Sequence, residues 1–364
     1  MSGKKGTKRW LTPWAESEER PSVYHLTSRV VDRRFVFGDE ERGKFRMFMR
    51  MMESFSGCRV LSYCVMSNHF HILLEVPPMP KGGLSDAELL RRLGVLYGEN
   101  FVKSVADELA AARAEGDGEG GNAYPVAGIH GRFTPRMHDL SDFMKTLLQR
   151  FTRWFNRTHN RTGTLWEDRF KSVIVESGTA ARTIAAYIDL NPVRAGMVSD
   201  PADYRWSSYG EAVGGGAKGN GKKAREGLVR ACISHKGAGF EAERWKDVSR
   251  IYRRAMGMAL GRKSGMTDVG KAQHATKNEE EMLASKDNQT VLPDLGMAGM
   301  LMKRVRYFTD GAVIGSKEFV NEAFAGARDR FSKRRKDGAR RMRGSGAAAK
   351  GVLWSVRDLR VGVG

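Results

Sequence analysis

The stretch His69-Phe70-His71-Ile72-Leu73-Leu74-Glu75-Val76 constrains the fold more than any other part of the chain. Side chains alternate across a strand. Phe70, Ile72, Leu74 and Val76 therefore share one face, and His69 and His71 share the other, with their Cα atoms roughly 6.5–7 Å apart. A strand with one apolar face needs helices against that face. Paired imidazoles on the opposite, open face make a platform for a divalent metal; the alternative is two partly exposed histidines without a ligand.

The flanking pattern supplies the rest of such a fold. Val23 to Val36 is rich in β-branched and aromatic residues and reads as a strand. Asp39 offers an N-cap to a helix carrying Phe45, Phe48, Met49, Met52 and Phe55 at helical spacing, and Gly57 ends it. Arg59 to Met66 is a second strand, Ser67-Asn68 a tight connection, and His69 to Val76 a third strand. One helix is expected over 85–114, then an acidic, glycine-rich loop from Glu115 to Asn122. Leu140, Phe143, Met144, Leu147, Leu148, Phe151, Trp154 and Phe155 keep one face of a further helix apolar. Thr164 to Glu176 reads as a charged strand, and Ser177 or Thr179 caps a short helix ending near Leu190. The order strand, helix, strand, strand, helices, strand, helix predicts an α+β fold: a ferredoxin-like antiparallel sheet with helices on one face.

Composition divides the chain. Residues 1–22 read as a basic tail and 23–211 as the α+β domain. The sequence AVGGGAKGNGKKAR at 212–225 reads as a flexible linker, and 226–364 as a basic, mostly helical C-terminal region. Two apolar stripes support helices in that last region. One holds Trp245, Val248, Ile251, Tyr252, Ala255 and Met256; the other holds Phe319, Val320, Ala323, Phe324 and Ala327. Lysine and arginine number 62, for a formal net charge of +20, which favours a polyanionic partner. No stretch approaches the ~20 apolar residues of a spanning helix, and the N-terminus lacks a signal-peptide core, so no membrane partner and a cytoplasmic location are expected. The three cysteines, Cys58, Cys64 and Cys232, have no zinc-ligand spacing.

Tyr187 and Asn191 lie four apart in AAYIDLNPVRAG, hence on one helix face. A phenol has a pKa near 10, so a nucleophilic tyrosine needs a polarised electrophile. A metal on His69 and His71 can polarise a phosphate, and Asn191 can add an oxygen ligand. The structural alternatives are a core Tyr187 between Ile184 and Ile188, and an Asn191 that caps the helix before Pro192. Imidazole ligation suits Mn²⁺, and an oxygen-rich site with phosphate suits Mg²⁺. Arg29, Arg33, Arg34, Arg169 and Lys171 are candidate phosphate contacts. The block from Arg328 to Arg343, with nine basic and two acidic residues, is another.

Four segments in this order, YHLTSRVVDRRFVF, SYCVMSNHFHILLEVP, GTLWEDRFKSVIVES and YIDLNPVRAGMV, resemble the REP-associated tyrosine transposases. These are a branch of the insertion-sequence single-tyrosine transposases in the HUH endonuclease superfamily. The resemblance runs from about Tyr24 to Tyr209, and RVRYFTDGAVIGSKEFVNEAF resembles the C-terminal part of longer members. It implies that 23–211 is a catalytic domain with His69, His71 and Asn191 as ligands of Mg²⁺ or Mn²⁺. It implies that Tyr187 forms a 5′-phosphotyrosine link and frees a 3′-hydroxyl. The implied partner is single-stranded or hairpin DNA of REP type, met at the nucleoid, with the C-terminal region as a DNA-binding accessory. A structure-specific DNA-binding regulator with little turnover is the competing reading. It would use the same basic surfaces without needing Tyr187.

Overall fold

The structure is a computed structural model and describes residues 9–116, 126–215, 219–233, 244–261, 301, 306–342 and 352–356. The first half forms a six-element unit: β1 (Ser22–Arg29), α1 (Asp39–Ser56), β2 (Arg59–Val65), β3 (His69–Val76), α5 (Leu140–Thr158) and β4 (Lys171–Val175). Between β3 and α5 lie α2 (Asp86–Leu96), α3 (Glu99–Gly116) and α4 (Val126–Gly131). The strands run β2-β3-β1-β4, with β1 antiparallel to both β3 and β4. Two strand–helix–strand crossovers interleaved in this order make a ferredoxin-like sheet, as the element order predicts.

Local chemistry sets the helix ends. The Glu41 carboxylate accepts from the Gly38 N–H at 2.8 Å, so Gly38 is the N-cap of α1 and Asp39 its first residue. Gly57 closes α1 in the left-handed region at φ 75°. A Cβ there would meet Arg92 and His138 at 2.6 Å, so that position needs glycine twice over. Asp139 caps α5 by accepting from the Asp142 N–H. The helix expected over 85–114 breaks at Tyr97, whose φ and ψ of −117° and 155° are extended. The strand expected from Thr164 is regular only from Lys171.

One sheet face carries the core expected of it. Tyr24, Leu26, Phe70, Ile72, Leu74 and Ile174 pack there with Phe45, Met49 and Met52 of α1 and Phe143, Leu147 and Phe151 of α5. The second face is covered too, by helices that follow β4. These are α6 (Thr179–Asp189), α7 (Asn191–Arg194), α8 (Ser208–Gly214), α9 (Asn220–Cys232), α10 (Trp245–Gly261) and α11 (Arg306–Asp310). Val23, Leu61, Cys64, Leu73, Val173 and Val175 face a second core with Ile184, Ile188, Leu228, Val229, Tyr252 and Phe308. Thus 212–214 and 220–225, expected as linker, are helical. A Cβ on Gly227 of α9 would lie 2.4 Å from the Val60 carbonyl oxygen, so that helix lies directly on β2. Glycine composition suggested flexibility where glycine permits close packing instead.

The chain then returns to the sheet. β5 (Val313–Gly315) pairs parallel with β4, and β7 (Trp354–Val356) and β6 (Arg340–Arg341) extend it, giving the order β2-β3-β1-β4-β5-β7-β6. Helix α12 (Lys317–Ala325) buries Phe319, Val320, Ala323 and Phe324, as its stripe predicts. The basic block is folded over 328–342, with Phe331, Ala339 and Met342 buried; Arg343 lies outside the described residues. Among the described residues no helix is long and apolar enough to cross a membrane.

Candidate active site

The register places the site on β1 and β3, toward the end of the sheet where Arg29 meets His69. Arg29 pairs with His69, Thr27 with both His71 and Lys171, and His25 with Leu73. His25, His69 and His71 therefore point from the second face. His69 is half-buried at the strand end, whereas His71 is only 4% exposed. The open face expected for both histidines is a covered one. Helix α6 crosses it, and α11 brings Phe308 against Tyr187. The His69 and His71 ring centres lie 5.2 Å apart at 80°.

Hydrogen bonds fix both rings. The His69 Nδ1–H donates to the Asn68 side-chain oxygen at 2.7 Å, and the Asn68 amide N–H donates to the Arg33 carbonyl at 2.8 Å. Arg33 itself is left-handed, at φ 55°, a conformation non-glycine residues rarely adopt. His71 Nδ1 lies 2.9 Å from His25 Nε2, and the rings stack at 5.1 Å. Burial pulls the His25 pKa down to about 4, the Phe308 carbonyl opposing and Arg194 reinforcing the shift. Burial likewise lowers His71 well below its usual value, with His25 next in effect. Neutral imidazole is the ligating form.

Tyr187 meets these rings from α6. Its ring centre is 6.2 Å from that of His71 and 6.5 Å from that of His25, both edge-on. Arg194 stacks on its face at 3.9 Å. Tyr187 is 2% exposed, so the core placement that the sequence leaves open is what the fold shows, immediately beside the histidines. Asn191 opens α7. Its amide N–H groups donate to the Tyr187 and Ile188 carbonyls, and its side-chain oxygen accepts from Arg194 at 2.6 Å. The cap expected at Asn191 is Leu190 instead, and Asn191, the first residue of α7, reaches back to the last carbonyls of α6 with its side chain.

The five basic candidates gather at the His69 end of the sheet. Arg29 ends β1, and exposed Arg33 and Arg34 follow it. Exposed Arg169 precedes β4, and Lys171 opens it, paired with Asp310 at 3.2 Å. Phe35 lies among them, 81% exposed.

Two residues escaped sequence reasoning. His25 was read only as part of a strand, although its odd-numbered alternation with Thr27 and Arg29 puts it on the histidine face. Asp189, inside the YIDLNP motif, is fully buried. It accepts from Tyr252 Oη at 2.7 Å and from the Tyr209 N–H at 3.0 Å, and burial raises its pKa to about 7. Among the described residues no three His, Cys, Asp or Glu side chains converge as a metal set. A cation here would take two imidazoles, with further oxygens from an amide or from bound substrate.

Residues 21–82, which span β1 to β3 and hold His25, Asn68, His69 and His71, match the family model of IS200-like transposases. A solved structure of a REP-associated tyrosine transposase bound to a REP hairpin is similar at 14% identity and a TM-score of 0.35. The match covers 60% of this chain and 90% of that one. No curated protein matches. The resemblance read from the sequence is found again on the segment that bears the paired histidines, and over that segment the chain is similar to the IS200-like transposases.

Proposed function

We propose that the protein is a single-strand DNA endonuclease and strand-transferase with Tyr187 as nucleophile, acting on hairpin DNA with Mg²⁺ or Mn²⁺. The observation that carries this reading is the convergence of Tyr187 with His69 and His71, from elements more than a hundred residues apart in sequence, at ring distances of 6.2 Å to His71 and 5.2 Å between the histidines. The donor set fits a divalent cation in part. Two neutral imidazoles suit it, and the Asn191 oxygen would join them only with Arg194 displaced, since it accepts from that guanidinium. Such a cation supplies charge to polarise the scissile phosphate.

The chain's own groups supply the rest. The Tyr187 phenol gives up its proton and its oxygen bonds to phosphorus. The bond to the 3′ oxygen breaks, and that oxygen takes up a proton as the free 3′-hydroxyl. The phosphodiester energy is kept in the link, so rejoining needs no nucleotide cofactor. Arg194, 3.9 Å over the Tyr187 ring, holds that ring in place beside the histidines. Arg29, Arg33, Arg34, Arg169 and Lys171 hold backbone phosphates, and exposed Phe35 offers a face for base stacking. The REP-type target rests on the sequence resemblance.

A binding-only regulator is favoured by one observation: Tyr187 is 2% exposed, a burial that a core tyrosine shares. One experiment separates the readings. Hairpin single-stranded DNA is incubated with Mg²⁺ or Mn²⁺, and a denaturing gel is read for a covalent adduct. The wild type should form the adduct, and Tyr187→Phe should bind the hairpin equally yet form none. Tight binding without an adduct from the wild type would make the protein a regulator. Cleavage by Tyr187→Phe would move the nucleophile elsewhere.

A further inference from the structure

His25 is 1% exposed, and both of its ring nitrogens are accounted for. Nδ1 lies 2.6 Å from the Phe308 carbonyl oxygen, and Nε2 lies 2.9 Å from His71 Nδ1. A carbonyl only accepts, so the His25 proton is on Nδ1. Among the described residues neither ring has a carboxylate partner, and buried imidazoles without one stay neutral. His25 Nε2 is therefore a lone-pair acceptor. His71 must donate its Nδ1–H to it, which leaves His71 Nε2 as the unprotonated nitrogen. The chain of bonds runs in one direction, from His71 through His25 to the backbone of α11.

We infer that His25 is a positioning residue of the site: it holds the His71 ring in the tautomer whose Nε2 can bind a cation, and it ties that ring to helix α11 of the C-terminal region at Phe308. The functional consequence rests on the metal reading above; the hydrogen-bond relay does not. His69 has an equivalent support in Asn68, which is local to its own strand turn. His25 differs because its anchor is 283 residues away. The C-terminal region thus reaches the paired histidines through one side chain. Groups that orient ligating imidazoles in this way commonly matter on the order of 10–100-fold in metal affinity.

Two substitutions divide the role of His25 between its nitrogens. In His25→Gln the side-chain amide lies where Nε2 was and can accept from His71, but the Phe308 bond is lost. In His25→Asn the amide lies where Nδ1 was and can donate to Phe308, but the His71 bond is lost. The full-length protein without metal is examined by long-range proton–nitrogen correlation of its histidine rings, and Mn²⁺ affinity is titrated separately. The wild type should show His71 protonated at Nδ1 alone. His25→Gln should keep that signature and the affinity, whereas His25→Asn should mix the tautomers and weaken Mn²⁺ binding by on the order of 10–100-fold. A wild-type His71 protonated at Nε2 overturns the inference even if neither variant folds. So does a folded His25→Asn with unchanged tautomer and affinity. A wild type with the stated tautomer and no Mn²⁺ binding supports the relay and overturns the metal reading instead.

Discussion

Asp189 shows how one buried residue gives the fold a pH dependence. Its carboxyl sits among Tyr252, Tyr209 and Ser207, and burial raises its pKa from 3.8 to about 7. A carboxyl raised on folding binds its proton more tightly in the native state. Its contribution is fully present below the unfolded pKa and is lost as pH rises through about 7. His25 works in the opposite sense: with a native pKa of about 4, it costs stability as pH falls below 6.5. A comparison of wild type with Asp189→Asn isolates the first effect, because His25 is common to both. By urea unfolding across this range, the wild type should lose stability relative to Asp189→Asn as pH rises. A difference that does not change with pH would mean that Asp189 is ionised throughout.

At the scale of elements, glycine decides where helices touch strands. Gly227 lets α9 lie on β2, where an added Cβ would meet the Val60 and Leu61 carbonyl oxygens at 2.4 and 2.9 Å. Gly94 in α2 is exposed and has nothing within 4 Å. Replacing each by alanine should therefore give opposite signs. Gly94→Ala should stabilise by about 0.5–1 kcal/mol through helix propensity. Gly227→Ala gains the same propensity but must push α9 off the strand, a net loss of about 1–3 kcal/mol. Thermal unfolding of the two variants checks this, and a stabilised Gly227→Ala would show that α9 can move freely. Composition could not tell these glycines apart, since each sits inside a helix beside apolar neighbours, Leu93 and Val95 for one and Leu228 for the other. The distinction lies in what faces them across space.

The whole molecule is held together by its last strands. β5 and β7 continue the sheet from β4, and Arg194 donates to the Leu301 carbonyl at 2.7 Å while Phe308 packs on Tyr187. A chain ending at residue 300 would lose these contacts, leave β4 as an open edge and remove the anchor of His25. It should melt lower than the full chain and self-associate through that edge, by calorimetry and size-exclusion chromatography. A soluble monomer with unchanged melting would restore the view, drawn from the 212–225 composition, that the C-terminal region is a separate unit.

The alternation of His69 to Val76 and the apolar spacing of α1 and α5 were enough to give the ferredoxin-like unit. Those patterns are local, and each follows from the 2.0 or 3.6 residue period of its own element. The pairing of His69 with His71 was legible for the same reason. What covers them was not. The burial of His71 and the His25–Phe308 bond arise between segments tens to hundreds of residues apart, where no period operates. The strand at Val313 to Gly315 is three residues long, too short to show alternation, and it exists because β4 offers it an edge. Local periodicity set the scaffold and the histidine platform; long-range hydrogen bonding and burial decided how that platform is held and closed.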